Sequence, residues 1–516
     1  MPLQLLKYNP GVVKDITEYA AGKNGPFWVD SDLVRFKNGY PEKLGGWAKD
    51  QINALDSAGG ITSTETTIEG IARRMLYWRA AVDGVDRLAV GTHNHLLIIQ
   101  NGAIYDITPL RATQAGLSNP VATTNGSTTV TITDTAHGAL TSDWVVLSGT
   151  TATGGISADT LNSYYGYQIT RINADSYTIV VPSAASSTVS AGGGTVTIKY
   201  LIGLNNGLGV QSAAPALGWG AGGWGNEAWG TPRSASESTV SLDNSSWNLS
   251  LWGEDLLATV RGGAIYYWDT SEGIADRAVL ASSLAGAQSV PAVVRVTTVS
   301  FPDRHFIAGG CTSYSSGLVD NMLVRWSSQE EFTKFAPTAI NTAGDQRLEI
   351  GTKIVAMVPA REETIISTDE AVYGMTFIGG DFVFSFRLLA TDSGAAGLNT
   401  MISVDGDVYW MGKRNFFKYD GIVNELPCPV QYYVADRLQT SFIEKTTVGH
   451  NKEFKEITWF YVSNDNSAGT TNPEPDSYVT FNYAENAWTV GTMDRTVWSD
   501  SFGAKTVPFA FDPDGY

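Results

Sequence analysis

The stretch Trp252–Asp269, WGEDLLATVRGGAIYYWD, decides the fold. Leu256–Val260 is apolar enough for a buried strand. Arg261-Gly262-Gly263 follows as a tight turn, because glycine accepts the positive φ that a short hairpin loop requires. Ala264–Trp268 is a second strand that ends in aromatics. The same unit recurs. Leu88–Gly91 leads through Leu96–Gln100 and the turn Asn101-Gly102 to Ala103–Asp106. Thr364–Ser367 turns at Thr368-Asp369-Glu370 into Ala371–Gly374, and Met401–Val404 turns at Asp405-Gly406-Asp407 into Val408–Trp410. One such hairpin cannot bury its apolar edge alone, whereas several arranged radially can. The pattern predicts an all-β chain with a β-propeller-like body built from repeated hairpins.

Composition agrees. The chain has 516 residues, with 54 glycines, 15 tryptophans and 22 tyrosines, as a turn-rich β protein requires. No run of about eighteen apolar residues exists, so no membrane span is expected. Met1–Tyr8 lacks the basic start and apolar stretch of a secretion signal. Cys311 and Cys428 are too few for a disulfide framework and read as core residues. The formal net charge is −18, which argues against a general nucleic-acid binder, since that needs cations against phosphates. An acidic wall also lets DNA slide without sticking.

Along the chain, residues 1–50 read as an extended N-terminal arm. Pro10-Gly11 and Gly25-Pro26 break any helix, and Phe27, Trp28 and Trp47 are bulky anchors. Val34-Arg35-Phe36 is a short strand turned by Lys37-Asn38-Gly39. The arm either closes the first sheet of the body or lies on a neighbouring subunit. Residues 51–117 carry the first propeller strands. Residues 118–202 lose aromatics and gain Ser, Thr, Gly and Ala, which predicts a small inserted β-sandwich or barrel domain. Residues 203–246 form a Gly/Trp-rich loop, in which Trp219, Trp224 and Trp229 are spaced five apart. Five matches neither a helix face nor a strand face. Such aromatics need a cover, either their own body or the next subunit of a ring. Residues 247–516 hold the remainder of the propeller. Phe301–Ala308 reads as a strand partnered by Met322–Trp326, and Pro429–Thr440 as the single helix. The tail Phe509–Tyr516 stops just after a turn signal, so a further strand is expected beyond it.

No catalytic motif is present: no GxSxG, HExxH, Walker loop or CxxC. No enzyme activity, cofactor or metal site is expected. His93 and His95 alternate as if on one strand face but lack a completing ligand. His137 beside Gly138 reads as a turn residue. Asp512-Pro513-Asp514-Gly515 starts like a calcium loop without its closing glutamate, so a hairpin turn is expected. With 52 acidic residues, a tail polysaccharide hydrolase stays open as an alternative, as does a glycan-binding propeller that grips sugar through aromatics.

Several stretches together resemble a known family. They are Phe27–Phe36 with Pro41–Trp47; Val324–Ser327 with Asn341–Asp345; Phe416–Gly421 with Leu426-Pro427-Cys428; and Asn486–Met493. Their order is similar to that in the tail nozzle, or tail hub, proteins of short-tailed bacteriophages, also called accessory or DNA-stabilising proteins. The likeness spans most of the chain outside 118–202. It implies a virion structural protein, assembled in the host cytoplasm as a homo-hexameric ring below the portal and adaptor. Such a ring continues the DNA channel, retains the genome without reading its sequence, and supports a tail fibre or tail tip protein. Phe27, Trp28, Trp47, Trp219, Trp224 and Trp229 are then candidate subunit-interface residues.

Overall fold

A computed structural model describes residues 8–16, 27–49, 52–55, 61–64, 67–141, 143–204, 244–380, 382–467, 473–501 and 507–516. The hairpin that opened the sequence reading is there: Asp255–Val260 pairs antiparallel with Ile265–Trp268, and Gly262 holds a φ of 70° in the turn. Trp247–Trp252 and Val279–Leu280 flank it, making a four-stranded sheet in sequence order. Four further sheets repeat this plan. They start at Val294, Ile354, Met401 and Thr447. One more sheet, from Ala72 to Asp106, has the same four strands plus Asn53–Leu55 and Ile61–Thr64 on its outer edge; in chain order it is the first wedge, and the sheets that start at Trp247, Val294, Ile354, Met401 and Thr447 are the second to sixth. Val497–Ser499 pairs with Phe509–Phe511 as a seventh, two-stranded wedge.

The innermost strands close a ring. Ala72–Arg79 touches Trp247–Trp252, which touches Val294–Val299, and so on through Ile354–Pro359, Met401–Val404, Thr447–Asn451 and Val497–Ser499 back to Ala72–Arg79. Among the described residues the body is therefore a β-propeller of seven wedges. The central strands are packed on both faces, as in Ser477–Asn482, where every residue is buried and Ser477, Thr480 and Asn482 are enclosed with the apolar ones.

Tryptophans staple neighbouring wedges. Trp247 of the second donates its indole N–H to Thr92 O of the first at 2.9 Å, Trp459 of the sixth donates to Thr400 O beside the fifth at 3.0 Å, and Trp498 of the seventh donates to His450 O of the sixth at 2.9 Å. The close approach needs a bare backbone underneath. A Cβ on Gly91 would stand 2.6 Å from the Trp247 ring, and one on Gly449 2.3 Å from Trp498.

The inserted domain is a sandwich of a five-stranded and a four-stranded sheet around Val130, Ile132, Val145, Leu147, Ile198 and Tyr200. Its boundary differs from the reading at residue 118. Leu110–Ser118 pairs with Thr195–Leu201, so the domain begins at Leu110. That strand is mostly exposed, so it lacks the apolar signature of the propeller strands. Other differences are local. The strand read from Phe301 starts at Phe306, because residues 301–305 form the turn that carries Asp303 and His305. The helix is confined to Gln431–Arg437, and a second helical turn, Ala158–Leu161, lies in the inserted domain.

Candidate functional site

The arm supplies the first candidate surface. It does not close the first sheet. It docks on the sixth: Val12 N–H donates to Trp488 O at 2.7 Å, Ser31 Oγ to Val490 O at 3.1 Å, and Thr492 N–H to the Asp32 carboxylate at 2.9 Å. Gly11, at φ 96°, allows this approach, since a Cβ there would sit 3.1 Å from Trp488 N. Val34–Lys37 and Tyr40–Lys43 form a separate hairpin whose Phe36 enters the core with Ile457, Phe481 and Trp488. The chain then runs over the seventh wedge. Trp47 packs edge-on against Trp498 at 5.1 Å, and Lys49 lies 3.2 Å above the Tyr516 ring. Asn53–Leu55 next joins the first sheet. The arm thus straps the sixth, seventh and first wedges, where the ring of sheets closes.

Phe27 is half-buried, and Trp28 packs against Phe36 and Tyr8. The Trp28 indole N–H is buried with no acceptor among the described residues. Trp47 is 41% exposed. The structure thus places Trp28 against the body and leaves Trp47 partly open. Trp219, Trp224 and Trp229 lie outside the described residues.

Beneath the strap is a cavity of about 340 Å³, lined by Arg35, Trp47, Phe454, Glu456, Phe460 and Trp498 among others. It lies between the sixth sheet, through Thr458, Tyr478 and Thr480, and Trp498 of the two-stranded wedge. Arg35 pairs with Glu456 at 3.2 Å. Burial pushes the Glu456 carboxyl up to about 7, outweighing the guanidinium that pulls it down.

A second constellation lies at one end of the propeller axis. The turn Thr440–Lys445 presents Glu444 to Arg261 of the second wedge at 2.9 Å and to Lys353 at the entry to the fourth at 3.2 Å. Lys445 donates to Glu474 of the sixth at 2.7 Å, and Arg73 of the first grips the same carboxylate through both Nη atoms. Wedges that are not neighbours meet here, which places the turn at the axis. Asn399 bridges the cluster, donating to Arg73 O at 2.9 Å and accepting from Arg74 Nη1 at 3.1 Å. Burial and the neighbouring Arg73 push the His93 imidazole down to about 4. Sequence reading missed this cluster. Its signal is Glu474, a charged residue set between Pro473 and Pro475.

The titratable groups singled out by sequence make local hydrogen bonds and packing contacts. His93 and His95 do not share a strand face: residues 93–94 turn between Asp86–Thr92 and Leu96–Gln100. His93 Nδ1 accepts from Ile71 N–H, and His95 is buried against Trp144 and Tyr165. His137 accepts the Ala139 N–H within its own turn. Among the described residues no three His, Cys, Asp or Glu side chains gather to hold a metal. Asp512 O accepts from Gly515 N–H, closing the expected turn. Cys311 and Cys428 are buried free thiols.

His305 has the connectivity of a catalytic triad: Nδ1 meets Asp303 at 2.6 Å and Nε2 meets Thr342 Oγ1 at 3.0 Å. However, His305 is fully buried, packed by Phe377 and Phe384, and Thr342 Oγ1 also accepts the Gln329 N–H. Ser300 Oγ donates to the same Asp303 oxygen at 2.6 Å. The group braces two turns under the third and fourth sheets. Among the described residues no helix is long and apolar enough to cross a membrane.

No protein-family model matches the chain, and no curated protein matches its sequence. Among solved structures the chain is similar to a phage phi92 endosialidase at 11% identity and a TM-score of 0.20, over 92% of this chain and 66% of that one. It is similar to the SapL1 lectin in complex with alpha methyl fucoside at 9% identity and a TM-score of 0.29, over 52% of this chain and 88% of that one. It is similar to a fungal alcohol oxidase in complex with copper at 8% identity and a TM-score of 0.33, over 76% of this chain and 70% of that one. The chain thus spans just under two thirds of the endosialidase's length. Likenesses this distant carry no argument about what the chain does.

Proposed function

We propose that the chain is a structural subunit of a bacteriophage tail nozzle or hub, one of six copies that close into a ring below the portal and adaptor. The ring continues the DNA channel, holds the packaged genome and supports a fibre or tail tip. It performs no chemistry of its own.

The observation that carries this reading is the convergence of the family-like stretches. Phe27–Phe36 and Asn486–Met493 lie at opposite ends of the chain, yet Ser31 bonds Val490 and Asp32 bonds Thr492. Phe416 packs at a tilt against Trp488, ring centres 4.8 Å apart, and the Trp488 indole N–H donates to Pro427 O at 3.0 Å. The Trp326 indole N–H donates to Thr342 O at 2.8 Å, joining the remaining pair of stretches. Residues that resemble one family in sequence therefore form contiguous pieces of one body. The acidic charge suits a conduit for DNA. Exposed Phe301, Ile340 and Phe382 at one end of the third and fourth sheets suit contact with further protein.

The test is the oligomeric state in solution. Light scattering of the purified chain, alone and with the adaptor of the same virion, is expected to find six copies. Replacing Trp219, Trp224 and Trp229 together by serine is expected to leave a folded monomer that assembles poorly. A chain that stays monomeric beside its adaptor overturns the reading.

A further inference from the structure

We propose that the cavity beneath the strap binds a neutral sugar, a mono- or disaccharide, against the threonine-bearing face of the sixth sheet. The inference does not rest on the ring assembly. Its ground is a contrast between the two faces of one sheet. Side chains alternate along a strand, so each strand shows one set to the fifth wedge and the other to the cavity. Toward the fifth wedge stand Ile457, Trp459, Val479, Phe481, Trp488 and Val490. Toward the cavity stand Glu456, Thr458, Phe460, Tyr478, Thr480 and Thr489. The third and fourth wedges, by comparison, meet through Ile307, Val324, Met357 and Ile366. A face made only to be covered by the next wedge has no need of hydroxyls and a carboxyl, and burying them without partners is costly.

The polar groups form a row with hydrogen-bonding capacity left over. Thr458, Thr480 and Thr489 are cross-strand neighbours on adjacent strands. The Thr458 and Thr480 hydroxyls bond each other at 2.8 Å. Thr489 is 6% exposed, and its Oγ1 has no partner among the described residues. Beside the row Glu456 pairs with Arg35 at 3.2 Å, so the floor offers donors and acceptors whose charges cancel. An ionic ligand of either sign would meet its like charge there, and Glu453 at the exposed edge further disfavours an anion. A hydroxyl both donates and accepts, so a polyhydroxylated neutral ligand suits all of these groups at once. The remaining wall is aromatic, from Trp47, Phe454, Phe460 and Trp498. A sugar ring carries C–H hydrogens on its faces and hydroxyls around its edge, and the negative π face of an aromatic attracts the C–H hydrogens. At about 340 Å³ the space lies near the lower end of small-molecule sites, roughly 300–1,000 Å³, and holds one ring or two. Exposed Trp47 and Val507 also line it, so it reaches the surface.

The experiment titrates the full chain with the methyl glycosides of glucose, galactose, mannose and N-acetylglucosamine, following tryptophan fluorescence and heat. It is run above the raised Glu456 value of about 7, where the Arg35–Glu456 pair is ionised on both sides. Trp47 and Trp498 in the wall report occupancy. A saturable signal is expected for at least one of the sugars, with glucuronate and glucosamine at least tenfold weaker. Thr489→Val keeps the shape and drops the unpartnered hydroxyl. It is expected to weaken binding about tenfold, the worth of one hydrogen bond, at an unchanged Tm. Trp47→Ala, which removes a wall from the exposed strap, is expected to weaken binding as well. No saturable signal with any of the four glycosides overturns the proposal, as does undiminished affinity in either variant. Tighter binding of hexanol than of every sugar overturns the assignment to a saccharide.

Discussion

Arg73 and Glu474 are 401 residues apart in sequence and form a two-pronged ion pair, with Nη2 to Oε1 at 2.8 Å. The pair joins the first and sixth wedges across the axial end. Both side chains are buried, and Lys445 shares the carboxylate. Removing one partner leaves a charge that neither water nor protein compensates. Glu474→Gln is expected to destabilise the propeller by about 3–5 kcal/mol, read as a fall in Tm. A change under about 0.5 kcal/mol would mean that the pair does not hold the ring closed.

The wedge packing gives a steric prediction. Gly91 lies under the Trp247 ring, with no room for a Cβ. Gly91→Ala is expected to cost about 1–3 kcal/mol by overpacking. Trp498→Ala, which removes the ring between Trp47 and Phe460, is expected to cost about 3 kcal/mol and to loosen the strap. Denaturant unfolding measures the first. Limited proteolysis near Trp47 detects the second.

Two groups set opposite pH trends. Glu456 has its carboxyl raised to about 7 in the folded chain, above its ordinary 4.5. A raised acid favours the folded state below pH 4.5, and that contribution is lost as pH rises through 7. His93 is lowered from 6.5 to about 4. A lowered base contributes fully above pH 6.5 and loses that contribution as pH falls through 4. Glu456→Gln is therefore expected to flatten the fall in stability between pH 5 and pH 8, and His93→Gln to flatten the loss below pH 6. Unfolding free energies across pH check both.

The hairpins were legible in sequence because their signals are local. Arg261-Gly262-Gly263 and Asn101-Gly102 mark turns through the φ that glycine and asparagine tolerate. Closure was not legible, because it rests on partners hundreds of residues apart, such as Arg73 with Glu474 and Ser31 with Val490. The arm misled for the same reason: Val34-Arg35-Phe36 looks like any short strand, and nothing near it in sequence names the sixth sheet. Residues 110–117 read with the propeller because their partner, Thr195–Leu201, lies across the whole inserted domain. The axial cluster was missed because isolated charges on loops look solvated until a fold brings them together.

Electron microscopy of the purified chain bound to its adaptor tests the central claim most directly. The account predicts a ring of six copies around an open channel wide enough for duplex DNA, with the strap of each copy ordered on its own sixth and seventh wedges. Isolated propellers, or a closed assembly with no channel, would contradict it.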